Sequence, residues 1–121
     1  MASLTSHVLD AVHGKSATDV RVVLTRIAVD GSRHEVANAR TDQDGRINIP
    51  VEIDHNLTGN ITSLFEVAFD TADYFRQQNV LAPQDQIMQS VVVRIAMTES
   101  GKRYHIPIMA SPHSYSIWWS A

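Results

Sequence analysis

The amino-acid sequence predicts an all-β protein, an antiparallel β-sandwich with one short helix. Three observations lead to this class. The apolar runs are short and rich in β-branched residues, turn residues separate them, and one segment alone has the composition of a helix. Short strands that alternate with turn signals are typical of an antiparallel sandwich.

Short apolar runs are predicted as strands because Val, Ile, Phe and Tyr fit a pleated, half-buried surface. They are VRVVLTRIAV (20–29), INIPV (47–51), LFEVAFD (64–70), SVVVRIAM (90–97) and YHIPIMA (104–110). Turn signals that contain glycine lie between them: Asp30-Gly31-Ser32, Asp44-Gly45, Thr58-Gly59-Asn60 and Ser100-Gly101-Lys102. Glycine beside Asp, Asn or Ser marks such chain reversals.

The segment VDGS joins VVLTRIAV to RHEVANAR. Asp-Gly tolerates the positive φ angles that a tight turn demands. We therefore expect a β-hairpin at this point.

Residues 71–79, TADYFRQQN, are predicted as a helix of about two turns. Thr71 is a candidate N-cap, and Asp73 lies in the first turn, where a carboxylate is favourable. Three residues form the expected apolar face: Ala72, Tyr74 and Phe75.

Size and charge limit the classes of function. A chain of 121 residues fits a single domain over 1–121 with its own core. The net charge of −3 argues against a nucleic-acid partner, which requires a basic surface. The absence of cysteine excludes disulfides, cysteine-ligated zinc and thiol nucleophiles.

The opening residues, MASLTSHVLDAVHGK, contain no basic stretch followed by an apolar core, so no signal peptide is expected. No apolar run approaches the roughly 20 residues that a membrane-spanning helix needs. We therefore expect a soluble, cytoplasmic protein with no membrane partner.

The two tryptophans, Trp118 and Trp119, lie close to the C-terminus. Chain ends usually fray, whereas large aromatic side chains are usually placed where they bury area. The tail is therefore expected to pack against its own domain, a partner subunit or a ligand.

The candidate proton-transfer groups are the six histidines, His7, His13, His34, His55, His105 and His113. No two of them have the HxH or HExxH spacing of a metal site, although a zinc site assembled across the fold stays open. An isolated histidine is more often a surface or structural residue than a catalyst. Two of the histidines lie in apolar stretches, His7 in HVLD and His105 in YHIPIM.

Strand alternation places His105 and Pro107 on one face, and Tyr104, Ile106 and Ile108 on the other. If the second face is core, His105 points toward solvent or an interface.

Arg46 follows the turn DQDG, where a loop meets the strand INIPV. A guanidinium there can hold a planar carbonyl or carboxylate with two hydrogen bonds, although an ordinary solvated arginine fits equally well. The sequence contains neither a G-x-S-x-G elbow nor a paired-carboxylate pattern. The residues alone therefore leave His7, Arg46 and His105 as polar groups with nothing local that joins them.

Four segments match, in order, the motifs of one enzyme family. LTSHVLDAVHGKSATDVRVVL resembles its opening, in which His-Val-Leu-Asp precedes Gly-Lys-Pro-Ala. TDQDGRI resembles its Thr-x-x-Asp-Gly-Arg turn, and FEVAFDTADYF its mid-chain strand and helix. YHIPIMASPHSYSIWWSA resembles its closing block, which ends Tyr-Ser-Thr-Tyr-Arg-Gly-Ser. The chain thus resembles the transthyretin-related 5-hydroxyisourate hydrolases nearly from end to end.

The resemblance implies a sandwich of two four-stranded sheets and a homotetramer, with active sites in a channel where subunits meet. It implies hydrolysis of 5-hydroxyisourate, a purine-derived small molecule between urate and allantoin, with neither metal nor organic cofactor. The family's catalytic His, Arg and His match His7, Arg46 and His105. Imidazoles can transfer protons at neutral pH and a guanidinium can stabilise an oxyanion. Which histidine is the principal base stays open.

The tail departs from the family pattern: Trp119 stands where the family has Arg, and Ala121 where it has Ser. We predict that Trp118, Trp119 and Ser120 bind substrate. An apolar wall favours methyl groups and ring faces, so an N-methylated 5-hydroxyisourate is one predicted substrate. Two alternatives stay open, namely neutral drift of a mobile tail and a non-catalytic, transthyretin-like carrier of a hydrophobic ligand in the central channel.

Overall fold

A computed structural model describes residues 1–53, 62–80 and 82–120. It confirms the predicted class, because two β-sheets enclose the core and one short α-helix follows a strand of one of these sheets. His55, Ala121 and the predicted turn at Thr58-Gly59-Asn60 lie outside the described residues.

The strands follow one another along the chain with the helix in the middle. They are β1 (Ala2–Asp10), β2 (Lys15–Ser16), β3 (Arg21–Ile27), β4 (Arg33–Arg40), β5 (Arg46–Val51), β6 (Leu64–Phe69), α1 (Thr71–Gln77), β7 (Val91–Ala96), β8 (Arg103–His105), β9 (Ile108–Ser111) and β10 (Ser114–Ile117). A short 3₁₀ turn, Pro83–Asp85, precedes β7.

One sheet has the order β4-β3-β6-β7, and all its neighbouring strands are antiparallel. The predicted hairpin joins β3 to β4, and Gly31 in its turn has a φ of +86°. A positive φ costs glycine little because glycine lacks a Cβ atom, so the Asp-Gly pair predicted this turn correctly.

The other sheet is built around β1, which pairs with β5 and β2 on one side and with β8 and β9 on the other. The predicted strand 104–110 is interrupted, since β8 ends at His105 and β9 begins at Ile108. Pro107 lies in the gap and has no N–H to continue the ladder. With β8 and β9 counted as one interrupted strand, this sheet contains β5, β1, β8/β9 and β10, plus the two-residue β2.

The core lies between the two sheets and takes alternate residues from each strand. In β1 the buried apolar residues are Leu4 and Val8, and in β6 they are Phe65, Val67 and Phe69. Burying one such side chain stabilises the fold by about 1.5–3 kcal/mol. Because successive side chains of a strand point to opposite faces, the other face of β1 points away from the core and is available for a functional site.

The helix begins one residue earlier than the predicted cap implied. Asp70 is the N-cap, and its side chain accepts a hydrogen bond from the N–H of Asp73, so Thr71 is the first helical residue. The predicted apolar face is confirmed, because Ala72, Tyr74 and Phe75 are buried. No helix in the described ranges is long and apolar enough to cross a membrane.

Asp10, at the end of β1, ties this strand to the helix. Its buried carboxylate accepts hydrogen bonds from the Tyr74 hydroxyl and from Nδ1 of His13, both at 2.7 Å. Burial alone would raise the pKa of Asp10, but hydrogen bonds from His13, Tyr74 and nearby backbone N–H groups hold it below its ordinary value. Asp10 therefore joins β1 to α1 through Tyr74, and His13 is a further partner of the same carboxylate.

Candidate active site

His7 and Arg46 lie directly opposite each other on antiparallel strands, His7 on β1 and Arg46 at the start of β5. Such cross-strand partners have Cβ atoms about 5 Å apart and project from the same face of the sheet. This face is the one away from the core, since Leu4 and Val8 occupy the other. Pairing of the two strands therefore brings together an imidazole and a guanidinium that are far apart in sequence.

The turn before β5 fixes the position of Arg46. The Asp42 side chain accepts a hydrogen bond from the backbone N–H of Arg46 at 3.0 Å, and this bond is the main cause of the lowered pKa of Asp42. Gly45 has a φ of +72°, and a Cβ atom at this position would lie 2.7 Å from the carbonyl oxygen of Val8. Only glycine fits this close approach of the turn to β1.

His105 joins the same face from the other side of β1. It is the strand partner of Thr5, which lies two residues before His7 and so projects from the same face as His7. The imidazole of His105 is partly buried, and the guanidinium of Arg46 is exposed. The structure thus places the three predicted catalytic residues on one face of three neighbouring strands.

A chain of two hydrogen bonds orients His105. The Nε–H of Arg103 donates to the hydroxyl of Thr5 at 3.1 Å, and this hydroxyl lies 2.8 Å from Nδ1 of His105. A histidine held at one ring nitrogen presents the other, here Nε2, for proton transfer. Thr5 and Arg103 are therefore site residues that the sequence alone did not identify.

The surroundings of His105 disfavour its charged form. Burial lowers its pKa from the ordinary value, and the positive charges of Arg103, Arg46 and His7 lower it further. At neutral pH His105 is consequently a neutral imidazole.

His7 has a hydroxyl partner of its own. Its Nε2 lies 3.1 Å from the hydroxyl of Ser16, the last residue of β2. Both groups are partly buried. Nothing in the sequence indicated this contact, because β2 is only two residues long and carries no strand pattern.

The C-terminal tail runs back along β8 and reaches His105. The N–H of Ser120 donates to the carbonyl oxygen of His105 at 3.0 Å, so the tail continues the sheet edge by one isolated bridge. A groove of about 350 Å³ lies here between β7 and β8. Its lining includes His105, Tyr104, Ile95, Trp119 and Ser120. Two of the three predicted substrate-binding residues therefore adjoin His105.

The same groove is lined by three cationic side chains, two of which have acidic partners. Arg94 pairs with Glu66 at 2.9 Å, and Lys102 lies 3.7 Å from Glu99. Arg103, the third, holds Thr5 as described above. The groove thus combines two aromatic side chains, Tyr104 and Trp119, with cationic side chains, of which Arg94 and Lys102 are ion-paired and Arg103 bonds a hydroxyl.

Trp118 lies before the groove, where its backbone N–H donates to the carbonyl oxygen of Pro107 at 3.3 Å. Trp119 is 77% exposed, so its indole is available to a ligand or to another subunit. Within the described ranges, no three His, Asp or Glu side chains cluster as metal ligands would.

Comparison with known proteins agrees with this fold. The model of the HIUase/Transthyretin family matches residues 4–119. The 5-hydroxyisourate hydrolase of Ralstonia nicotianae is 33% identical over 118 residues, 98% of this chain and 97% of that protein. The 5-hydroxyisourate hydrolase of Deinococcus radiodurans is 36% identical over 115 residues, 95% of this chain and 92% of that protein.

Among solved structures, sea bream transthyretin in complex with thyroxine superposes with a TM-score of 0.78 at 25% identity. The superposition covers 98% of this chain and 94% of that one. A family match over nearly the whole chain, together with relatives above 30% identity, settles the affiliation. The chain belongs to the HIUase/Transthyretin family.

Proposed function

We propose that this protein hydrolyses 5-hydroxyisourate, or an N-methylated form of it, by opening the six-membered ring. The observation that carries the proposal is the placement of His7, Arg46 and His105 on one face of β1, β5 and β8. The relatives named 5-hydroxyisourate hydrolase support the choice of substrate class.

In the proposed reaction, a water oxygen bonds to a ring carbonyl carbon and the adjacent C–N bond breaks. The product is a carboxylic acid, which loses its proton to solvent as the carboxylate, with a new N–H on the leaving nitrogen. Negative charge develops on the attacked carbonyl oxygen, and the exposed guanidinium of Arg46 can donate N–H hydrogen bonds to it. Arg46 is therefore the proposed oxyanion donor.

His7 and His105 share the proposed proton transfers. A neutral imidazole takes a proton from the attacking water and, as imidazolium, passes it to the leaving nitrogen, so the reaction consumes only water. The lowered pKa of His105 supports a neutral acceptor at pH 7. The proposed reaction steps need neither a metal nor an organic cofactor.

The first experiment measures ring opening of freshly generated 5-hydroxyisourate against its uncatalysed decay. Replacing Arg46 or His105 by alanine should lower turnover at least about a hundredfold, which is typical for the loss of an oxyanion donor or a general base. Arg21→Ala is the matched control, because Arg21 lies on β3 and bonds Asn38 in the other sheet. A near-normal rate in either site variant would refute the role assigned to that residue.

The tail supports a proposal about the substrate. Trp119 and Ser120 line the groove beside His105, and Trp118 precedes them. An indole wall gains contact area from a methyl group and offers fewer donors to an unmethylated ring than a guanidinium would. We therefore propose that an N-methylated 5-hydroxyisourate is preferred.

We also propose a homotetramer in which subunits meet on the β1–β5 face. Met109, the strand partner of Leu9, is exposed on the face of β1 that carries His7, and Trp118 and Trp119 are exposed in the tail. Such a patch is typical of an interface, and burial there would enclose the site. Sedimentation velocity would show a species of four chains, and a monomer at micromolar concentration would contradict this assembly.

A transthyretin-like carrier is the second candidate. It is favoured by the structural similarity to sea bream transthyretin and by the exposed aromatic tail. Simple carriage, however, gives no reason for Arg46 and two imidazoles on one face. Ring opening above the uncatalysed rate separates the two candidates, because a carrier would bind without turnover.

A further inference from the structure

We propose that Ser16 is a positioning residue for His7: its hydroxyl holds Nε2 of the imidazole, so that Nδ1 is the nitrogen left for proton transfer. This inference rests on the proposed hydrolase function and adds a residue to it. The distance from the Ser16 hydroxyl to Nε2 is 3.1 Å, within hydrogen-bond range.

Strand register places the hydroxyl where it can act. Ser16 is the partner of Leu9, which lies two residues after His7 and therefore projects from the same face of β1. Among the described residues, the hydrogen bond to His7 is the one that the Ser16 side chain makes. The hydroxyl thus sits beside the imidazole and has no competing structural task within that part of the chain.

The backbone of Ser16 contributes little to the sheet, which isolates the role of its side chain. The N–H of Ala17 donates to the carbonyl oxygen of Val8 at 2.9 Å, so by antiparallel alternation the Leu9–Ser16 pair exchanges no ladder bonds. A residue without an N–H is therefore compatible with position 16, and the family motif quoted above has proline there. The hydroxyl is a feature that this chain adds.

The chemical consequence follows from the two ring nitrogens. The hydrogen bond at one nitrogen decides which nitrogen carries the proton and limits rotation of the ring. On the other side of β1, Thr5 holds His105 through Nδ1. The two imidazoles are then held through opposite nitrogens, Nε2 in His7 and Nδ1 in His105.

The experiment compares Ser16→Ala, Ser16→Pro and Ser16→Thr with the unchanged protein. We expect kcat to fall about 5- to 10-fold in the alanine and proline variants with KM nearly constant, since one hydrogen bond is lost. The threonine variant keeps a hydroxyl and should retain most of kcat. Ser32→Ala is the control, because Ser32 bonds Asp30 in the β3–β4 hairpin.

Nitrogen-15 NMR of the histidine rings gives a readout independent of turnover. Loss of the Ser16 hydroxyl should shift the Nε2 resonance of His7 and leave that of His105 in place. An unchanged kcat and Nε2 resonance in Ser16→Ala would overturn the inference, as would an equal loss of kcat in all three Ser16 variants. If the unchanged protein opens no ring, the proposed function fails, while the Nε2 resonance still decides whether Ser16 holds His7.

Discussion

The hydroxyl of Thr5 lies 2.8 Å from Nδ1 of His105, although the two residues are 100 positions apart in the sequence. The parallel pairing of β1 with β8 makes them direct partners. The same hydroxyl accepts a hydrogen bond from Arg103. One small side chain from the start of the protein therefore orients an imidazole near its end.

Replacing Thr5 by valine keeps the shape of this side chain and removes its hydroxyl. We expect kcat to fall about tenfold, because His105 and Arg103 both lose their partner, and the protein to lose about 1–3 kcal/mol of stability. Thr5→Ser, which keeps the hydroxyl, is the control for kcat. Urea unfolding and steady-state kinetics give the two values, and a valine variant with normal kcat would mean that Thr5 does not orient His105.

Arg103 offers a test of the electrostatics around His105. Its positive charge helps to lower the pKa of His105, since a nearby cation disfavours the imidazolium form. In Arg103→Gln this pKa should rise toward its ordinary value of 6.5. Less neutral His105 then remains at mildly acidic pH, so the acid limb of kcat/KM should move to higher pH.

The measurement is an NMR titration of His105 alongside a pH–rate profile. Lys102→Gln is the matched control, because it removes an equal charge from the same groove and Lys102 is not among the causes of the His105 shift. Coincident titration curves for Arg103→Gln and the unchanged protein would contradict the electrostatic account.

The glycine before Arg46 should be one of the least tolerant positions. An alanine at Gly45 would place its Cβ 2.7 Å from the carbonyl oxygen of Val8 and would also keep a φ of +72°. We expect a loss of about 2–4 kcal/mol in the free energy of unfolding, from backbone strain plus displacement of the turn. Turnover should fall as well, because Arg46 immediately follows this turn and would be displaced with it.

Gly31→Ala provides the comparison. Gly31 has a φ of +86°, but a Cβ atom at this position would meet no heavy atom within 4 Å, so its substitution should cost only about 1 kcal/mol of conformational energy. Urea denaturation of both variants separates the cost of the positive φ angle, which both share, from the cost of the steric clash with Val8, which only the Gly45 variant has. Equal losses at the two glycines would show that the contact with Val8 carries no cost.

The elements that the sequence predicted correctly are those with local signals. Asp30-Gly31 marked the β3–β4 hairpin, and the apolar run 64–70 marked β6. The predicted N-cap of the helix was wrong by one residue, because Asp70 and Thr71 are both residue types that cap helices well. In the structure the N–H of Asp73 donates to the carboxylate of Asp70. The break between β8 and β9 was predictable from the sequence, because Pro107 has no N–H to donate to the strand ladder.

The candidate site was predictable only in part. Residue type and position marked His7, Arg46 and His105 as candidates, but their grouping in one site came from the family resemblance, since no spacing in the sequence joins them. Thr5 and Ser16 were missed because their partners are fixed by strand pairing, which has no local signature. The cytoplasmic location and the lack of a nucleic-acid partner stay predictions.

Trp119 decides the proposed preference for a methylated ring. It is 77% exposed and lines the groove that His105 shares, and the family motif has arginine at its position. In Trp119→Arg we expect the ratio of kcat/KM for methylated over unmethylated 5-hydroxyisourate to fall about tenfold, because about 1–2 kcal/mol of apolar contact is exchanged for hydrogen-bond donors. Trp119→Phe, which keeps an aromatic face, should retain most of the preference. A ratio that is the same in all three proteins would show that the indole does not contact the ring substituents.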